Sequence, residues 1–269
     1  MKSIKYLLKW LFIIIATAML CFFAAMAWRN LRVNSDETNF ASAHFTVHYR
    51  GIYNSEAQTI ADALERNYDR INRALANPPH KKIDVHIHPT QSAFNMATGL
   101  TGSHANGTSR GPHAFHIMYQ TWFNSIFPAN NTQVAVHEFT HCVQLNILIT
   151  EALESPAFAG SKDFDQKFEA RFAKDYPQWL WESLSDYEAG IVNKTSVGYG
   201  MRSSPRLDDL NHGNRVYQVG YTVIEYLVHQ FGADKLPAFV RSYGDIEQVL
   251  HVSKQDFEKG WLSFVAERY

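Results

Sequence analysis

The chain has 269 residues, 46% of them hydrophobic, which is enough to bury a sizeable core in one domain or two closely packed lobes. A formal charge of −1 gives no basic footprint, so neither nucleic acid nor an acidic polymer is implied as a partner. Of the two cysteines, Cys21 falls in an apolar leader and Cys142 deep in the chain, which excludes a disulfide within the folded part and a cysteine-based zinc cluster.

No charged residue occurs from Trp10 to Trp28, a run about as long as a bilayer core requires, and Lys2, Lys5 and Lys9 precede it. Positive charge inside places the remainder outside the cytosol. Segment 1–28 reads as a signal anchor at the cell membrane or as a cleaved signal peptide of a secreted or periplasmic protein. Leu11 to Phe23 is short, and Ala25-Met26-Ala27 has the small residues of a cleavage site. Residues 29–42 are polar, without apolar periodicity, and read as a linker to a domain spanning 43–269.

His44 to Arg50 alternates, with Phe45, Val47 and Tyr49 on one face of a half-buried strand. A helix capped at Asn54 or Ser55 follows, apolar at Ala57, Ile60, Leu64, Tyr68, Ile71 and Leu75 until Pro78-Pro79. Lys82 to His88 alternates again, and a short helix precedes Thr98-Gly99. The Gly/Ser/Thr/Asn-rich stretch from Gly99 to Pro112 reads as a loop and Ala114 to Tyr119 as a strand. A helix apolar nearly all round starts near Asn130, and a central position is implied for it. Beyond it lie a Phe164, Phe168, Phe172 helix, a helix opened by Pro177 and closed by Gly190, and a loop marked by Gly198 and Gly200. A helix from Asn214 to Gly232 and further helical segments complete the chain. Strands come first and helices last, so the class is α+β, with a small sheet lobe, a motif helix and a helical lobe.

His137-Glu138-Phe139-Thr140-His141 places two imidazoles one helical turn apart on one face, suited to a single metal ion. Zinc in a hydrolase needs a third protein ligand and keeps its fourth position for water, whose proton Glu138 could take. Glu182, in Trp179-Leu180-Trp181-Glu182, is the candidate ligand; its bland reading is a solvated glutamate on an amphipathic helix. Asp186, four residues on, is placed to accept the second ring proton of a ligand histidine.

These residues resemble the gluzincin metallopeptidases, and Glu182 to Asp186 is similar to the Glu-x-x-x-Asp helix of their thermolysin group. Tyr217-Gln218-Val219-Gly220 resembles the Tyr-x-x-Gly helix of the aminopeptidase branch. Residues 43–269 as a whole resemble the compact peptidase-MA-like, zincin-type domains. The resemblance implies Zn²⁺ held by His137, His141 and Glu182, Glu138 as general base, Asp186 orienting a ligand and Tyr217 stabilising the oxyanion. A peptide or protein is the implied substrate. The Gly-x-Met-Glu-Asn signature for a free N-terminus is absent, so the resemblance does not extend to exopeptidase action. Ser183 and Ser185 stand where many relatives have Gly and Ala, a change expected to alter helix packing more than ligation.

Two other readings stay open: an anchored interaction domain that turns over nothing, and a zinc hydrolase of a non-peptide bond. Tyr221 competes with Tyr217, and His212 is a weaker oxyanion candidate. His86 and His88 share a strand face but lack a third ligand nearby in sequence. Met118 and His116 read as strand packing and Cys142 as a buried small hydrophobe. The strand from Ala114 to Tyr119 is expected at the cleft edge, where strand addition could hold an extended peptide.

Overall fold

The structure, a computed structural model, describes residues 2–32, 36–122, 124–156, 158 and 161–269. Helix α1 (Lys2–Arg32) carries the apolar run, of which Tyr6–Trp28, 23 residues of mean hydropathy 2.4, is not buried against the rest of the chain. At 1.5 Å per residue this is roughly 35 Å, long and apolar enough for a membrane span or a signal sequence.

The remainder is a mixed α+β domain on a five-stranded sheet in the order β1-β2-β3-β5-β4. The strands are β1 (Thr38–Ala41), β2 (Phe45–Tyr49), β3 (Ile83–His88), β4 (Gly107–Ser109) and β5 (Ala114–Met118). Strands β2, β3 and β5 run parallel, and β1 and β4 pair antiparallel at the two edges. Alternation sends Phe45, Val47 and Tyr49, then Ile83, Val85 and Ile87, then Phe115 and Ile117 to one buried face.

Helices α2 (Asn54–Ala74) and α4 (Asn131–Glu154) cover that face. Phe139 of α4 meets Phe45 edge-on at 5.3 Å and Tyr68 at 5.7 Å. Truncating so buried an aromatic costs about 3–5 kcal/mol, so Phe139→Ala would loosen the contact that fixes the rotation of α4. The other sheet face carries His48, His86, His88 and His116, and α3 (Gln91–Thr98) lies partly over it, its Phe94 against His88. Local chemistry sets the helix starts. Asn130 Oδ1 accepts from the Thr132 and Gln133 N–H groups at α4, whereas α2 begins one residue early because Glu56 reaches back to the Tyr53 N–H at 2.7 Å.

The helical part comprises α5 (Phe164–Asp175), α6 (Gln178–Ala189), α7 (Lys194–Gly200), α8 (Val216–Phe231), α9 (Leu236–Arg241), α10 (Ile246–Leu250) and α11 (Lys254–Arg268). Helix α6 packs between α4 and α8. Trp261 of α11 is fully buried and donates from Nε1 to Thr222 Oγ1 at 2.9 Å. One continuous core runs from Phe45 to Val265.

Four features differ from the sequence reading. Thr38–Ala41, inside the expected linker, is an edge strand whose Phe40 alone packs on the core, too little for a visible alternation. The expected loop between Gly99 and Pro112 contains β4, three small residues that pair with β5 without an apolar pattern. Strand β5 is therefore not the cleft edge: β3 and β4 flank it on both sides, and β4 takes the outer position. Gly198 and Gly200 lie within α7. Its start is capped by Asn193 Oδ1 and its Val197 is buried, which together offset a helix cost of about 1 kcal/mol per glycine.

Candidate metal centre

The rotation of α4 decides the site. With Phe139, Cys142 and Val143 turned into the core, His137, Glu138 and His141 face a cavity of about 790 Å³ bounded by β4, α4, α6 and the start of α8. Helix α6 crosses this opening and brings in Glu182. Its Oε2 lies 3.2 Å from His137 Nε2 and 3.7 Å from His141 Nε2, although forty-one positions separate Glu182 from His141 in sequence. Asp186, one turn further along α6, accepts from His137 Nδ1 at 2.9 Å.

His141 is ordered by a network that was not legible in the sequence. The Tyr176 hydroxyl donates to Gln144 Oε1 at 2.8 Å, which turns the Gln144 amide so that its nitrogen donates to Trp181 O and Ser185 Oγ, each at 3.1 Å. A serine hydroxyl has one proton and two lone pairs. The proton goes to Trp181 O at 3.1 Å, one lone pair accepts from Gln144, and the other faces His141 Nδ1 at 2.9 Å. Nδ1 of His141 must therefore carry a hydrogen, and Nε2 keeps its lone pair for the cavity. The Trp181 indole stacks on the same ring at 3.9 Å and 11°, fixing its plane. Ser185 thus acts on a candidate ligand rather than on packing alone, while Ser183 is the packing residue. A Cβ at Gly220 of α8 would collide with Ser183 Oγ, so this glycine lets α8 close on α6.

That closure carries Tyr217 to the cavity, half-exposed, with Glu182 in the same lining. Burial and the Glu182 carboxylate raise its pKa, so the phenol stays a proton donor. On the other wall, Gly107 of β4 faces Glu138: a Cβ there would lie 2.5 Å from Oε1. Among the described residues, Glu138 Oε2 is buried without a hydrogen-bond partner.

Burial and mutual contact shift every titratable group of this pocket. Burial opposes charge on His137, yet its hydrogen bond to Asp186 and the nearby Glu182 carboxylate raise its pKa well above the usual 6.5. Burial and the neighbouring His137 lower His141 to about 4. Glu182 is held low in spite of burial by the two imidazoles beside it. Burial, with Glu182 and Asp186 adding to it, pushes Glu138 up to about 8, against the opposing pull of His137. Burial raises Asp186 as well, against the opposing pull of His137.

The donor set fits zinc. Two imidazole nitrogens and one carboxylate oxygen are its usual hydrolase ligands, and the Nδ1 atoms behind them are both engaged. Ligand atoms of His137, Glu138 and His141 also lie within 4.8 Å of one another, so Glu138 competes for the third position. Glu182 is the other candidate for that position, its Oε2 lying 3.2 Å from His137 Nε2 and 3.7 Å from His141 Nε2.

Other candidates stand apart. His212 is exposed and does not line the cavity, and Tyr221 packs on Tyr187 at 5.4 Å. Cys142 is buried, its thiol pushed up by burial and donating to Ala114 O at 3.7 Å. Met118 is buried, whereas His116 joins the histidine row on the open sheet face. A scan against protein-family models finds no match to the chain, and neither does a search of the curated proteins.

Proposed function

We propose that the chain is a zinc-dependent metallopeptidase of the gluzincin type, with a zincin-like fold, acting outside the cytosol and held at the membrane by α1. The observation that carries this is the convergence of His137 Nε2 and His141 Nε2 on Glu182 Oε2, with an unpartnered Glu138 oxygen beside them. His137, His141 and Glu182 would hold the metal, with Asp186 and Ser185 fixing the two rings. Bound there, zinc supplies Lewis acidity, drawing the pKa of water towards neutrality and polarising a carbonyl.

The protein groups divide the remaining work. Glu138 takes a proton from water and returns it to the leaving nitrogen, acting from a buried position beside both histidines. The Tyr217 hydroxyl donates a hydrogen bond to the oxyanion of the tetrahedral intermediate. Strand β4, outermost in the sheet and lining the cavity through Gly107, Thr108 and Ser109, offers its free backbone edge to an extended peptide. Gly107 leaves room for that peptide and the Glu138 carboxylate to approach each other.

Metal analysis of the purified full-length protein together with digestion of a broad peptide library tests this reading. One zinc per chain, lost in Glu182→Ala, and cleavage of internal peptide bonds are expected. Absence of zinc from the wild type, or full zinc in Glu182→Ala, overturns the ligand set. Zinc without cleavage of any peptide overturns the peptidase assignment and leaves an interaction domain or a hydrolase of another bond.

A further inference from the structure

Between Arg110 and Glu138 the sequence holds no Asp, Glu, Lys or Arg. Within this stretch the loop from β5 to α4 presents Trp122, Ile126 and Phe127 at 73%, 78% and 87% exposure. Single exposed apolar residues are ordinary; three large ones on one short loop mark a surface that meets something apolar. The loop is held in shape at its base. Gln120 N–H donates to Asn131 Oδ1 at 2.7 Å, Asn131 Nδ2 donates to Gln120 O at 2.8 Å, and Ala129 N–H donates to Gln120 Oε1 at 2.6 Å. Asn124 folds back inside it, its Nδ2 donating to Tyr119 O at 2.9 Å. Polar groups close the loop inward while the apolar ones are left outward.

Strand register says what lies on that side. Thr38 is level with Tyr49, Tyr49 with Ile87, and Ile87 with Ile117, and β5 ends one residue later. The chain arriving from α1 therefore joins the domain at the same end of the sheet from which the loop departs, three strand spacings or roughly 14 Å away. Arg32, the end of α1, and Thr38 are six residues apart, so no more than roughly 20 Å can separate them. Tryptophan favours the membrane interface, and the loop has no charge to desolvate there.

We propose that Trp122, Ile126 and Phe127 dock into the surface of the bilayer that holds α1, so that the cleft opens beside the membrane. This rests on the reading of α1 as a membrane span and is independent of the metal. Ala129 and Asn130, at the foot of the loop, line the cavity that holds His137, so docking places the site next to chain segments lying close to the membrane.

The test uses full-length protein carrying an environment-sensitive dye at one site at a time, reconstituted in phosphatidylcholine vesicles that contain spin-labelled quencher lipids. The sites are Ile126→Cys and, as a control, Lys81→Cys, each with Cys21→Ser, and native Cys21 within α1. Lys81 is exposed and precedes β3 at the opposite end of the sheet. Quenching at position 126 severalfold stronger than at position 81 is expected, whereas equal quenching at the two overturns the proposal. Absence of quenching at Cys21 separately shows that α1 is not in the bilayer. A dye at position 126 that lipid leaves unquenched but an added peptide substrate shields assigns the loop to substrate and also overturns docking.

Discussion

Two of the histidine groups among the described residues are built differently. On α4, His137 and His141 stand nearly perpendicular at 4.6 Å, each with Nδ1 tied to a side chain of α6 and Nε2 turned to one carboxylate oxygen. On the sheet, His48, His86 and His116 lie in register on three neighbouring strands with nearly parallel rings 4.7 and 4.5 Å apart. His88 adds a ring-to-ring hydrogen bond of 2.9 Å to His116. In the sheet group one nitrogen of His88 pairs with one of His116, and the carboxylates at hand, Asp84 at 3.5 Å and Glu37 at 4.0 Å, face His48 at the far end of the row. What separates a metal site from a histidine row is the orientation of the second ring nitrogen rather than the number of rings.

The largest expected effect falls on the side of α4. Glu138→Gln removes the proton acceptor and is expected to lower kcat by about 10²–10⁴-fold with zinc content unchanged. His116→Gln, in the sheet group, should leave both quantities where they are. Steady-state kinetics paired with metal analysis measures this, and a comparable loss in the two variants would erase the distinction between the groups. A smaller effect belongs to the network behind His141. Ser185→Ala removes the acceptor that fixes the tautomer and should weaken zinc affinity by about 10–100-fold, read by competition with a chromophoric chelator. Unchanged affinity in Ser185→Ala would reduce the Tyr176, Gln144 and Ser185 chain to packing.

Legibility in the sequence followed the range of each interaction. His137 and His141 lie one turn apart on a helix whose cap and apolar surface are local, and the strands β2 and β3 alternate within a few residues. Glu182 and Asp186 could be proposed because one helix carries both. Gly107 could not, since its role exists only where β4 passes Glu138. Ser185 stood in view but was read as packing, because its hydrogen bond depends on Gln144 from α4 and on Tyr176 from the turn after α5. The histidine row was half visible. His86 and His88 share a face at spacing two, but their partners His48 and His116 come from strands whose register the sequence does not display.

The smallest predicted effect is on stability and belongs to that row. Burial first, then His86, lowers His88 and His116 to about 4; His88 also meets Arg50, and His116 meets His88 and Arg110. Burial and His48 lower His86, while Asp84 and Glu37 partly oppose this. An unfolded histidine titrates near 6.5, so between about 6.5 and 4 the unfolded chain binds protons that the folded row refuses. The row's contribution is therefore full above pH 6.5 and is lost as pH falls towards 4. Loss of the lone pair that accepts the hydrogen bond between His88 and His116 accompanies the second protonation. Thermal unfolding of the full-length protein across this window should show Tm falling with pH, and the fall should be shallower in His88→Gln/His116→Gln, which cannot take up those protons. Equal slopes in wild type and double variant would mean that the row is solvated well enough to titrate freely.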